Sequence, residues 1–108
     1  MNITKETKYE IIIGLKDKNT YKQMLPTEKF IDIVKKVCKK KYIGYSMHLM
    51  EGGYIHQNGT YINEQSLNIT FYYITKKQVL EIASILKEIF NQESVMVITS
   101  NINSYFIS

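Results

Sequence analysis

Hydrophobic positions along this chain switch between a two-residue and a helical period. Between Lys8 and Lys16 they alternate, with Tyr9, Ile11 and Ile13 on one side and Glu10, Ile12 and Gly14 on the other. Both sides are apolar enough to predict a strand inside a sheet. After a polar connection ending at Pro26, the residues Phe30, Ile33, Val34, Val37 and Cys38 follow helical spacing, with charge mostly on the other side. Thr27 is the expected N-cap, Glu28 sits in the first turn, and Lys39, Lys40 and Lys41 close the helix. A second helix opens at the capping box Thr75-Lys76-Lys77-Gln78 and buries Val79, Ile82, Ala83, Leu86 and Phe90, with Ile85 and Ile89 widening the stripe. Glu93 to Thr99 alternates again as a last strand, and the apolar tail to Ser108 is expected to add a short strand or to cross to a partner.

Between the helices lie two β-rich runs, Ile43 to His56 and Thr60 to Tyr73, separated by Asn58-Gly59. Asn-Gly is the strongest short hairpin signal, because a type I′ turn needs positive φ at both central residues. With those two as the whole turn, Ser46 and His48 would face Phe71 and Ile69, mixing polar with apolar on one side of the sheet. Shifting the pairing by one residue sets Tyr45, Met47 and Leu49 opposite Phe71, Ile69 and Leu67. A one-residue slip moves every side chain to the other face, so the pattern predicts a β-bulge at Gly52-Gly53. The same register collects Ser46, His48, Asn68, Thr70 and Tyr72 with Glu10 and Ile12 on the face opposite the helices.

The order strand, helix, hairpin, helix, strand predicts one α+β domain over residues 1–108. Its fold is ferredoxin-like, βαββαβ, with a four-stranded antiparallel sheet, both helices on one face and a possible extra C-terminal strand. The uncovered face, with Glu10, Ile12, Ser46, His48, Asn68, Thr70 and Tyr72, is the candidate ligand or interface surface, being too apolar for plain solvent contact.

Charge narrows the partners. The net charge of +4 comes from 14 lysines and no arginine. Arginine supplies the forked donors that grip phosphates and guanine, so nucleic acid is disfavoured as a partner. Lys35, Lys36, Lys39, Lys40 and Lys41 still form a basic patch, which favours the helix C-terminus and leaves RNA binding as an alternative. One cysteine, Cys38, allows no internal disulfide and fits a reducing compartment. The polar N-terminus and the lack of an apolar run near the roughly 18 residues of a membrane span lead to a cytoplasmic expectation without membrane contact. His48 and His56 would not converge on a metal, and no cofactor motif is present, so neither metal nor cofactor is expected. Glu64 and Glu93 are assigned to a turn and a helix end. The connection tip Asp17-Lys18-Asn19 could cap a strand end or touch a ligand.

Several short segments share an order with a known pattern. Phe90-Asn91-Gln92-Glu93-Ser94-Val95 resembles the F-x-Q-E-S-V signature of a small bacterial family of unknown function. Gly52-Gly53-Tyr54, Asn58-Gly59 and Glu64-Gln65-Ser66 stand where that family has a G-x-W, a glycine turn and an acidic residue before serine. Tyr54 replaces the tryptophan, Gln65 intervenes between Glu64 and Ser66, and a Pro-Phe-Pro run is absent. The resemblance spans about Tyr9 to Phe106 and implies the same fold, with no activity attached.

The expected function is a non-enzymatic binding protein. It would pair its open face or C-terminal strand with another copy, or with a larger protein as an inhibitor or adaptor, for example a phage-encoded one acting against a host defence complex. The alternatives are a small-ligand binder or enzyme with a pocket at a dimer interface, using His48, Tyr72 and Glu10, and RNA binding through the basic helix end.

Overall fold

In the computed structural model, which describes residues 2–55 and 57–108, the chain runs β1 (Asn2–Gly14), α1 (Thr27–Lys40), β2 (Ser46–Ile55), β3 (Tyr61–Phe71), α2 (Lys76–Ile89) and β4 (Met96–Phe106). The strands form one antiparallel sheet in the order β2-β3-β1-β4. This is the ferredoxin-like arrangement. Alternation decides which side chains go inside: Tyr9, Ile11 and Ile13 of β1 and Leu67, Ile69 and Phe71 of β3 are buried in one cluster with Phe30, Val34 and Cys38 of α1 and Val79, Ile82 and Leu86 of α2. Burial pushes the Cys38 thiol pKa up to about 11. Phe30 and Phe90 tie the start of α1 to the end of α2, their ring centroids 4.7 Å apart and tilted by 59°. Ile89, which the helical spacing placed at the edge of the stripe, is instead half exposed.

The β2–β3 pairing has the register that the apolar pattern requires, Met47↔Ile69 and Leu49↔Leu67, but not through a bulge. Pairing continues without a break through Gly52↔Glu64 and Gly53↔Asn63 to Ile55↔Tyr61. The connection after Ile55 is longer than two residues, and the extra residue is absorbed there. Asn58 Oδ1 accepts from the Thr60 amide at 2.9 Å, and Gly59 takes a φ of 86°, which glycine adopts without penalty. Gly53 has another use: a side chain there would overlap the Tyr61 ring, which lies across its backbone. His56 lies outside the described residues.

The helix ends differ in one respect from expectation. Thr75 and Gln78 form the reciprocal capping box, Gln78 N to Thr75 Oγ1 at 3.1 Å and Thr75 N to Gln78 Oε1 at 2.9 Å. Thr27, however, does not cap α1. Pro26 holds the N-cap position, and the Thr27 hydroxyl accepts from Gln23 Nε2 at 3.0 Å and donates to Gln65 Oε1 at 3.1 Å, fastening the incoming loop to β3.

The C-terminal tail adds no fifth strand. It continues β4, pairing with β1 from Ile12↔Met96 out to Asn2↔Phe106. Because β1 meets β3 only from Tyr9 to Gly14, the first half of β1 and the second half of β4 leave the sheet as a two-stranded ribbon. The tip of the β2–β3 hairpin leaves it at the opposite end. The molecule is therefore 51 Å long but only 24 Å thick.

Candidate functional site

The side chains that point away from the helices make a face with two concavities and a polar strip between them. In the strip, Asn68 Nδ2 donates to Glu10 Oε1 at 3.1 Å and the Thr70 hydroxyl donates to Asn68 Oδ1 at 2.8 Å, while Lys8 Nζ stands 4.0 Å from Glu10 Oε2. Asn68 is 5% exposed although no helix covers it. Its amide is satisfied by these neighbours, as a buried amide must be. His48 lies across from Asn68 on the edge strand and is exposed. Of the candidates on this face, Glu10, Asn68 and Thr70 are thus joined by hydrogen bonds. Ser46, Thr70 and Tyr72 border an aromatic hollow of about 460 Å³ with Tyr45, Tyr73, Tyr105 and Phe106 at the ribbon end, and Ile12 borders the larger concavity.

That larger concavity is a groove of about 1300 Å³ at the Gly14 end. Three separate parts of the chain build it: the end of β1 with the loop to α1, the outer half of the β2–β3 hairpin, and the turn from α2 into β4. Local structure sets each part. Asn91, in the left-handed region at φ 50°, follows the end of α2 and turns the chain so that the Gln92 side chain reaches the backbone just past β1. Gln92 is 8% exposed, and its Nε2 donates to the Lys16 carbonyl at 2.6 Å. Asn91 Nδ2 donates to Asp17 Oδ2 at 2.8 Å, while Asp17 Oδ1 accepts from the amides of Asn19 at 2.8 Å and Thr20 at 3.1 Å. Lys16 Nζ donates to the Asn63 carbonyl at 2.8 Å and pins the hairpin.

Above this floor, the Glu64 carboxylate and the Gln92 side-chain oxygen meet over the Cα of Gly14. A Cβ placed there would overlap Glu64 Oε1 and lie 3.2 Å from Gln92 Oε1. Glu64 is therefore not a turn residue. It stands on β3, on the open face, opposite Gly52. Glu93 and Ser94 line the same groove, together with Gly52, Gly53, Tyr54, Asn58 and Ser66. Each segment that carried the sequence resemblance thus reaches this one site. Glu64 faces the groove because its position shares the parity of Ser66 and Asn68, and that parity was the available signal.

The latch around Asp17 gives the groove a pH dependence. The Asn91 side chain, then the Asn19 amide, hold the Asp17 carboxyl below the ordinary 3.8. A carboxyl with a lowered folded-state pKa stabilises the fold above its ordinary pKa, and that contribution is lost as pH falls through the folded value. Asp17→Asn is accordingly expected to lower urea stability at pH 7, with the gap to wild type closing below about pH 4, near the free carboxylate value. An equal gap at pH 7 and at pH 3 would show that the latch does not depend on charge.

The basic patch lies elsewhere. Lys35, Lys36, Lys39 and Lys40 are exposed on α1, on the helix side of the sheet, and Lys41 Nζ is 3.9 Å from Glu81 Oε2 on α2. Among the described residues there is no cluster of His, Cys, Asp and Glu that could hold a metal ion, and no helix is long and apolar enough to cross a membrane.

No family model matches the chain, and no curated protein resembles it in sequence. Solved structures do resemble it in shape. A phage SAM lyase in complex with S-methyl-5′-thioadenosine matches with a TM-score of 0.65 at 20% identity, covering 95% of this chain and 93% of the lyase. The GlnK–ATP complex of B. subtilis matches at 0.59 and 15% identity, covering 91% and 82% of the two chains, and CutA from Synechococcus elongatus at 0.63 and 12%, covering 95% and 85%. At these identities the likeness establishes the shared ferredoxin-like fold.

Proposed function

We propose that this chain binds S-adenosylmethionine in the open-face groove and cleaves it to S-methyl-5′-thioadenosine. The observation that carries the reading is the Glu64 carboxylate held over Gly14 beside Gln92 in a groove with room for a nucleoside. S-adenosylmethionine brings two cations, its sulfonium and its α-ammonium, and carboxylates at Glu64 and Glu93 are the groups that attract them. Lys18, which also borders the groove, suits the ligand carboxylate, and the ring of Tyr54 offers a face for adenine. Two proteins of the same fold, the phage lyase and GlnK, are seen with adenosine compounds, which supports the ligand class.

Cleavage needs neither water nor a second substrate. The bond from sulfur to the γ-carbon of the amino-acid part breaks, and sulfur keeps the electron pair as a neutral thioether. The ligand's own carboxylate closes on that carbon as a lactone. The protein's part is to bind the cation and hold the chain curled so that carboxylate and γ-carbon are in reach. This replaces the non-enzymatic expectation with a catalytic proposal.

The test is incubation of the purified protein with S-adenosylmethionine, with product followed by mass spectrometry and binding by calorimetry. S-Methyl-5′-thioadenosine should appear, and Glu64→Gln should weaken binding by about tenfold or more, one charge-assisted contact being worth roughly 1.5–3 kcal/mol. Binding of ATP with no product from S-adenosylmethionine would overturn the reading.

A further inference from the structure

Glu64 and Gln92 bring two hydrogen-bond acceptors to one point over Gly14, and among the described residues no donor stands between them. Both protons of the Gln92 amide are spent, since Nε2 donates to the Lys16 carbonyl at 2.6 Å and to the Phe90 carbonyl at 3.3 Å. Carbonyls only accept, so the amide nitrogen has to face them and the amide oxygen has to face the groove. At 8% exposure, Gln92 has no room to turn away. Lys16, at the end of the same strand, has its Nζ committed to the Asn63 carbonyl at 2.8 Å, and among the described residues no lysine lies within ion-pair distance of Glu64. Two oxygens, one of them charged, are thus held together without their counterpart. No cluster of acids among the described residues completes a metal site there. The fitting counterpart is a single positive charge that brings its own N–H groups.

We propose that Glu64 and Gln92 together hold the α-ammonium of the ligand, and that Gln92 is the residue by which the groove selects a primary ammonium over other cations. The assignment rests on the S-adenosylmethionine reading and divides that ligand's two positive charges between the two carboxylates. An ammonium has three N–H donors; one charge-assisted bond to the Glu64 carboxylate and one to the Gln92 oxygen use two of them. Ser66, which pairs with Gly14 across β1 and β3 and lines the groove, offers its hydroxyl to the third. A sulfonium has no N–H to give. The oriented amide oxygen would gain little from it, so that cation falls to Glu93. A neutral amide also suits a single bound charge, because a second carboxylate in its place would repel Glu64. Gly14 serves the same end, since a Cβ would fill the space in which the two oxygens converge.

Three ligands test it on the full chain by calorimetry. S-Adenosylhomocysteine keeps the ammonium and lacks the sulfonium charge, its deaminated analogue has hydrogen in place of the ammonium, and 5′-deoxy-5′-dimethylsulfonioadenosine keeps the sulfonium without the amino-acid part. On the unaltered chain, removing the ammonium should weaken binding by about tenfold or more, the worth of a charge-assisted contact. Gln92→Met keeps the length of the side chain and loses the acceptor. In that variant the preference for S-adenosylhomocysteine over its deaminated analogue should shrink by about fivefold or more, while the dimethylsulfonio compound binds as it does to wild type. A purely structural role for Gln92 would lower all three affinities alike, and that result would overturn the assignment. If Gln92→Met loses its circular dichroism spectrum, Glu64→Gln is measured in its place, and an undiminished preference there would be equally fatal. Equal binding of S-adenosylhomocysteine and its deaminated analogue to wild type would overturn the ammonium assignment and leave the groove's reading standing. Absence of binding by S-adenosylmethionine and all three compounds would overturn that reading, and the assignment with it.

Discussion

Replacing Gly14 by alanine is expected to empty the groove of its ligand while leaving the fold in place. The added methyl would occupy the position of the Glu64 carboxylate oxygen and press on Gln92. Gln92 cannot yield easily, being buried and bonded to the Lys16 carbonyl. Glu64 can, because its carboxylate is the far end of a flexible side chain. The cheap relaxation is therefore a rotamer change that swings Glu64 off the ligand. Gly14 has no positive φ, so alanine meets no backbone strain there, and loss of glycine from a strand is if anything favourable. Melting should shift by only a few degrees, within about 1 kcal/mol, while binding of S-adenosylmethionine falls by about tenfold or more, as expected when one charged contact is lost. Calorimetry and thermal melting on the same sample give both numbers. Unchanged binding in the alanine variant would remove Glu64 from the site, and a collapse of stability would mean that the Glu64 carboxylate holds the fold rather than a ligand.

Why the site was harder to read than the fold follows from sequence distance. The core was legible because Ile11 and Ile13, or Leu67 and Ile69, announce their face by strict alternation, and Val79 to Leu86 by helical spacing. Both are local signals. Thr75 and Gln78 are likewise three residues apart. The hairpin register was legible from matching apolar sets, but the pattern does not say where an extra residue is housed. The chain puts it in the connection rather than at Gly52-Gly53, where Gly53 makes room for the Tyr61 ring. Thr27 looked like a cap because its type and place fit one, yet its hydroxyl is drawn to Gln65 on β3, a partner no local pattern names. The site is the extreme case: Gly14, Glu64 and Gln92 come from three distant segments, and each alone reads as a strand glycine, a turn acid and a helix end.

Truncating Phe71 should have the largest effect on stability of any single change in the sheet. Phe71 is the last residue of β3, fully buried, and pairs with Tyr9 on β1. It ends the row Leu67, Ile69, Phe71 on which both helices rest. Phe71→Ala removes a ring from a close-packed interior that relaxes only in part, which costs about 3–5 kcal/mol. Domains of this size hold about 5–15 kcal/mol in total, so roughly a fifth or more of the stability goes with one side chain. Urea unfolding should show the midpoint falling with the slope unchanged, the sign of a loss of stability without a change in the surface exposed. Phe71→Leu, which keeps most of the volume, should recover more than half of the loss. A cost below about 1 kcal/mol for the alanine variant, the level of an ordinary surface change, would mean that the helices do not seat on this row, and the open face, whose residues are fixed by the same alternation, would have to be assigned anew.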